Sequence, residues 1–255
     1  MNPMEPTRSF QAGLPGSTTN AAPMLHYFQP YDYNASGHVL VIFPGGGYHG
    51  RADHEGPITA HWFAIRGIAA VVVDYRTAPD GVQHPAMLED GLAAIHSVRE
   101  MAPELGYDPD KLGVLGYSAG GHLAAHCLTA HGEFESDFHL RPDYGLLCYP
   151  VLHSQPPFAH DGSMQNLLGK ENPSEDERRE VDVIAKVNPD TPPTFLWHAI
   201  GDEPVPVENS LDFARSLSAS KVPFELHCYE VGWHGTGLSI ETQWADAAVQ
   251  FIRRR

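Results

Sequence analysis

The chain has 255 residues, 42% of them hydrophobic and 19% charged, with 16 Lys+Arg against 32 Asp+Glu and a formal charge of −16. That apolar share is too high, and that charge density too low, for a disordered tail; a chain of this length buries roughly 70–75% of its unfolded surface, enough for one sizeable core. The negative charge repels nucleic acid phosphate and no basic stripe with interleaved aromatics is present, so no nucleic-acid partner is expected. Arg253, Arg254 and Arg255 form a basic run that reads as the frayed end of a last helix. The acidity reads as solubility.

Residues 1–23 are rich in Ser, Thr, Pro and Gly and read as a loosely held segment. Residues 38–43 form a short apolar strand running into PGGGY, and 55–66 a helix. The near-continuous β-branched run at 68–75, IAAVVVDY, is the pattern of a strand buried on both faces. A helix follows over 84–101, with Leu88, Leu92, Ile95 and Val98 at helical spacing. Residues 112–117 are a second buried strand, 119–130 a helix and 145–152 a strand. The stretch 153–190 carries Pro, Gly, Asn and a charge run from Glu171 to Glu180, and reads as a surface insertion. A strand at 195–200, a helix at 206–219, a strand at 224–229 and a final helix at 239–252 complete the chain. Strands alternate with helices, which predicts an α/β fold with a mostly parallel sheet and helices on both faces, in one domain over 1–255.

Cys127, Cys148 and Cys228 are odd in number, lie outside any CxxC pair and sit in apolar runs, so buried free thiols are expected. The N-terminus lacks a charged stretch followed by an apolar one, and no apolar run approaches the ~18–20 residues that span a bilayer. No membrane association is expected, and the default location is cytoplasmic, with a removed leader left open.

The central chemical signal is Gly116-Tyr117-Ser118-Ala119-Gly120. GxSxG alone is weak. Here the strand KLGVLGY enters it and the helix AGGHLAAHCL leaves it, the context a nucleophile elbow requires. Larger side chains at Gly116 and Gly120 would collide, and the following helix directs its N-terminus at the serine. A serine nucleophile needs a base, and the base an orienting acid. Asp202 follows the strand TFLWHAI and His234 follows FELHCYE, each in a loop after a late strand. Glu203 is the rival acid. Of sixteen histidines, His198 and His227 lie within apolar strands and read as core residues. The amide of Ala119 and those of the run Gly45-Gly46-Gly47 are the candidate oxyanion donors, since glycine lets backbone approach a ligand closely. Tyr48, Tyr117 and Trp233 flank these positions and are candidate substrate contacts, with packing the alternative for each. His122 and His126 have a metal-compatible i, i+4 spacing but no HExxH and no third ligand, so no metal is expected. No nucleotide motif is present either, and no cofactor is expected.

These residues resemble the α/β-hydrolase esterases related to hormone-sensitive lipase, and most closely the small bacterial acetyl esterase and acetylxylan-esterase-like branch. The similar segments are PGGGY (44–48), DYRTAP (74–79), HPAMLEDGLAAI (84–95), GYSAGGHLAA (116–125), DEPVPVENS (202–210) and WHGTGL (233–238), with NLLGKENPS and TPPTFLWH pointing to the same branch. The resemblance runs from about residue 38 to 240. It implies Ser118, Asp202 and His234 as a triad, with Gly46, Gly47 and Ala119 as oxyanion donors. Two departures stand out: Pro44 replaces the histidine of the usual HGGG, and 43 residues precede it, so the large cap domain of larger relatives is not expected.

The expected activity is a serine carboxylesterase acting on short-chain, acetyl esters of a small molecule or a carbohydrate such as acetylated xylo-oligosaccharide. Another acyl hydrolase of the same fold, an aryl formamidase or a peptidase, is the alternative, and a catalytically silent binding protein a third. Oligomeric state is not legible in the sequence.

Overall fold

The computed structural model describes residues 5–133, 138–239 and 241–255. In chain order the elements are β1 (Arg8–Gln11), β2 (Met24–Phe28), β3 (Val39–Phe43), a 3-10 turn (Asp53–Glu55), α1 (Pro57–Ala64), β4 (Ala69–Asp74), α2 (Ala86–Glu100), α3 (Ala102–Leu105), β5 (Leu112–Tyr117) and α4 (Ser118–Ala130). They continue with β6 (Tyr144–Cys148), α5 (Asp161–Leu168), α6 (Glu175–Glu180), β7 (Thr194–Ala199), α7 (Glu208–Ala219), β8 (Phe224–Tyr229) and α8 (Trp244–Ile252).

The strands form one sheet in the order β1-β2-β4-β3-β5-β6-β7-β8. From β4 to β8 the neighbours are parallel, and β1 and β2 add antiparallel pairs at one edge. The period of two along β3 explains why both faces are buried. Val39, Val41 and Phe43 enter the core shared with α2, α4, α5 and α7, whereas Leu40 and Ile42 enter the one shared with α1 and α8.

Chain order reverses at β3, because β4 pairs on one side of it and β5 on the other. In open α/β sheets such a switch point leaves a crevice at the carboxyl ends of the strands. The loops after β3 and β5 therefore meet there. They meet closely: a Cβ on Gly120 would lie 2.1 Å from the Phe43 carbonyl oxygen and 2.5 Å from that of Pro44, and one on Gly116 would lie 2.1 Å from the Gly120 oxygen.

Four expectations need correction. Residues 1–23 are not loose throughout: β1 pairs with β2, and the Thr18 and Thr19 amides and Thr19 hydroxyl donate to the buried Glu89 carboxylate at 3.2, 3.0 and 2.7 Å, joined by the Ser17 and Thr18 hydroxyls. The Ser/Thr content that suggests a loose chain is a donor set. The stretch 153–190 is not a plain surface insertion, since Met164, Leu167, Val181 and Val183 join the main core and a capping box between Ser174 and Glu177 fixes α6. The strand expected over 145–152 ends at Cys148, because Tyr149 takes a φ of 35°. Cys127 and Cys148 are buried thiols as expected, but Cys228 is exposed on β8.

His122 and His126 face the core rather than a ligand. His122 lies 2.8 Å from the Tyr48 hydroxyl and 2.9 Å from the Val181 carbonyl oxygen, and His126 packs between His122 and the stacked ring of His84. Among the described residues no group of three His, Cys, Asp or Glu is placed to hold a metal. Burial pulls the His122 imidazole down to about 4, with the Val181 carbonyl opposing. Burial alone would raise the Glu89 carboxyl, but the hydroxyls of Ser17, Thr18 and Thr19 hold it at about 2.

Both folded values lie below the ordinary ones, so both groups contribute stability that is whole above the unfolded value and lost as pH falls. The urea midpoint is expected to drop between pH 6.5 and 4 from His122, and again between 4.5 and 2 from Glu89. A midpoint level from pH 7 to 4 would contradict the histidine assignment. For Gly120→Ala, the clash with fixed backbone is expected to cost about 3 kcal/mol and about 6–12 °C in Tm, read by calorimetry.

Candidate active site

Ser118 opens α4 with a φ of 52°, a left-handed conformation that non-glycine residues rarely hold. This turn lifts its side chain out of the sheet, and the glycines on either side leave the space for it. The Ser118 Oγ lies 2.8 Å from His234 Nε2, and His234 Nδ1 lies 2.8 Å from Asp202 Oδ2. A carboxylate can only accept, so Nδ1 carries the proton and Nε2 is left as acceptor for the serine hydroxyl. Glu203, the rival acid, is exposed. The carboxylate within reach of His234 is that of Asp202.

Asp202 is buried, with Oδ1 accepting the Val205 amide at 3.0 Å and His198 Nε2 standing 3.4 Å from Oδ2. Burial alone would raise its carboxyl; the contacts of His198 and His234 outweigh that and hold it at about 2. His198 is a core residue, as expected, but one that touches the acid. Its Nε2–H faces the Val205 carbonyl at 2.8 Å, and its Nδ1 accepts from the Ser210 hydroxyl at 2.7 Å. Ser210 and Asn209 belong to the DEPVPVENS segment. The Asn209 carboxamide accepts from the Leu152 and His153 amides and donates to the Phe158 and Pro206 carbonyls, clamping the loop after β6 onto α7.

The glycine loop after β3 reaches the serine from the other side. A Cβ on Gly45 would stand 3.0 Å from the Ser118 Cβ. Gly46 and Gly47 have φ values of 134° and 63°, and a Cβ on Gly46 would strike the Gly50 carbonyl oxygen at 2.4 Å. The loop is held by the Tyr75 hydroxyl donating to the Pro44 carbonyl at 2.6 Å, and by the Asn166 carboxamide donating to the Gly47 carbonyl at 2.8 Å. The Gly46 and Gly47 N–H groups donate to no protein acceptor among the described residues. Ala119 lies in the first turn of α4, where N–H groups lack an intrahelical acceptor and the helix favours negative charge. Of the candidate donors the Gly45 amide is taken by Glu55 Oε2, which leaves those of Gly46, Gly47 and Ala119. Such a set can stabilise an oxyanion formed at a carbonyl that Ser118 attacks.

Two of the three aromatic candidates do not face substrate. Tyr48 is fully buried, its hydroxyl on His122, and Tyr117 is fully buried, its hydroxyl 2.9 Å from that of Thr59. Residues adjacent in sequence to the catalytic loop point down into the core here. Trp233 stands at the surface beside His234, 66% exposed.

Sequence reasoning missed Glu55, Tyr149, His160 and Asn166. Glu55 and Tyr149 sit beneath the site, joined at 2.6 Å. His160 begins α5, and its imidazole is held below the ordinary value by burial first and by the nearby His234 second. NLLGKENPS contains Asn166, so a motif signal existed there without a role attached to it.

A family model described as alpha/beta hydrolase fold matches residues 40–238. The structure is similar to that of an acetyl ester-xyloside bifunctional hydrolase from Caldicellulosiruptor lactoaceticus, 36% identical, with a TM-score of 0.83 over 98% of this chain and 96% of that one. The sequence is 30% identical over 226 residues to an acetylxylan esterase of Xylanibacter ruminicola, covering 85% of this chain and 45% of that protein. It is 34% identical over 204 residues to endo-1,4-beta-xylanase B of Butyrivibrio fibrisolvens, covering 77% of this chain and 32% of that protein. The chain thus spans less than half the length of either of these two curated relatives. With the matched model covering most of its length, the chain belongs to the alpha/beta hydrolase fold family.

Proposed function

We propose that this chain is a serine carboxylesterase that hydrolyses short-chain esters, acetyl esters first, with acetylated carbohydrates as its substrate class. The observation that carries the reading is the continuous hydrogen-bonded line from Ser118 Oγ through His234 to Asp202. The acetyl and carbohydrate preference is supported by what the relatives are named for, acetylxylan esterase and acetyl ester-xyloside hydrolase.

In the proposed mechanism Ser118 Oγ attacks the ester carbonyl while His234 Nε2 takes its proton. The carbonyl oxygen becomes an oxyanion and receives the Gly46, Gly47 and Ala119 N–H groups. His234, now imidazolium, is stabilised by the Asp202 carboxylate and hands its proton to the departing alcohol. The bond to the alcohol breaks and an acyl-enzyme remains. Water then attacks the acyl carbon with His234 again as base, releasing the carboxylic acid and restoring Ser118.

Ser118→Ala is expected to lower kcat on p-nitrophenyl acetate by at least about 10⁴-fold, and Asp202→Asn by about 10⁴-fold through the wrong His234 tautomer. Wild-type turnover by the serine variant would sink the reading. Acetyl esters are expected to be cut faster than octanoyl esters, and acetate to be released from acetylated xylan. A preference for octanoyl would refute the short-chain part, and absence of acetate release the carbohydrate part.

A further inference from the structure

The oxyanion loop and the His234 loop hang from strands that do not touch. β3 carries the first and β8 the second, with β5, β6 and β7 between them. Four strand spacings make roughly 19 Å at the level of the sheet. Catalysis by the proposed route needs the two loops to converge on one acyl group, so something must set their separation above the sheet.

A buried hydrogen-bonded chain spans that gap. The Gly45 N–H donates to Glu55 Oε2 at 2.7 Å, one residue before the paired glycines. The Tyr149 hydroxyl donates to Glu55 Oε1 at 2.6 Å, and the Gly237 N–H donates to the Tyr149 oxygen at 2.8 Å, three residues after His234. Glu55 and Tyr149 are both buried. The Tyr149 ring packs edge-on against His234, with centroids 5.1 Å apart. Beside it, His54 Nε2–H donates to the Gly235 carbonyl at 2.9 Å. Residues 54 and 55 therefore hold both loops at once.

The donor count identifies the state of the link. An ionised Glu55 accepts two hydrogen bonds, and the phenol gives its single proton to it while accepting from Gly237. A neutral carboxyl would leave one of the two hydroxyl hydrogens without an acceptor in this chain. Burying a carboxylate is costly unless it is fully partnered, which makes this an unusual group to find with no role under a reaction centre.

We infer that Glu55 is a positioning residue that, through Tyr149, sets the distance between the oxyanion loop and the His234 loop. It touches neither substrate nor the reacting atoms. The inference rests on the esterase reading above, and its role is to keep donors and base aimed at the same carbonyl.

The test uses Glu55→Gln, Tyr149→Phe and the double variant, measuring kcat and KM on p-nitrophenyl acetate, Tm, and the rate at which a fluorophosphonate labels Ser118. Glu55→Gln keeps one acceptor oxygen and sets an NH2 group against either the Tyr149 hydroxyl or the Gly45 N–H, so one of the two ties is lost, and Tyr149→Phe cuts the tie to Gly237 while leaving Glu55 on Gly45. Each is expected to lower kcat about 10–100-fold, the scale of misplacing a reacting group, with KM changed less than about twofold. The double variant is expected to be no worse than the poorer single, because one link is cut twice. Unchanged kcat with a lowered Tm would overturn the inference, as would losses that multiply. If Glu55→Gln fails to fold, Tyr149→Phe decides alone by the same measure. If the wild type labels but does not cleave the ester, the esterase reading fails by itself. The labelling rate, which needs Ser118, His234 and the glycine loop, then tests the link: a drop in the variants supports it and an unchanged rate overturns it.

Discussion

Between the start of α4 and the end of β3 there is no room for a methyl group. The α-carbon of Gly120 is set directly against the carbonyl oxygens of Phe43 and Pro44, and the rest of the site depends on that contact. It presses the loop after β3 against the turn after β5, so that the Gly46 and Gly47 amides and the Ser118 hydroxyl share one crevice. The strained φ of Ser118 is sustained by the same packing, since a local backbone conformation of this kind persists where its surroundings over-determine it. Tyr75 and Asn166 add hydrogen bonds to the loop from opposite sides. The elbow is thus a property of three elements together.

Three buried carboxylates show how differently one problem can be solved. Glu89 is wrapped by hydroxyls and amides of residues 17–19, and Asp202 by two imidazoles and an amide. Both end below their ordinary values despite burial. Glu55 has one phenol and one amide as its hydrogen-bond donors, and burial leaves its carboxyl raised. The order follows the number of donors, since each hydrogen bond to the charged form offsets part of the desolvation. The two with more donors anchor the N-terminal segment and His234. The least solvated one stands between two loops.

Much of this was legible from residue order. The run at 68–75 signals a doubly buried strand because a parallel interior strand has no polar face to show. The sites of Ser118, Asp202 and His234 follow from strand–loop positions, and their convergence to 2.8 Å is a matter of tertiary structure that spacing cannot express. β1 and β2 were not legible. β1 has four residues and is mostly exposed, so it lacks an apolar run, and its stability comes from pairing at the sheet edge. Tyr48 and Tyr117 were placed at the site because they adjoin it in sequence, but a side chain next to a turn points where the backbone sends it. Glu55 had no signal at all: a lone glutamate at the start of an expected helix announces no partner, and its two partners are 10 and 94 residues away.

The uneven distribution of the three thiols has a practical side. Cys127 and Cys148 are fully enclosed, and burial pushes both well up, so neither offers a thiolate to a reagent in the folded chain. Cys228 lies exposed on β8, the strand from which the His234 loop hangs. A maleimide dye therefore has one point of attachment on the native protein and three on the denatured one. The stoichiometry of labelling counts unfolded molecules directly, and the dye on β8 sits close enough in the chain to report on the His234 loop without occupying it.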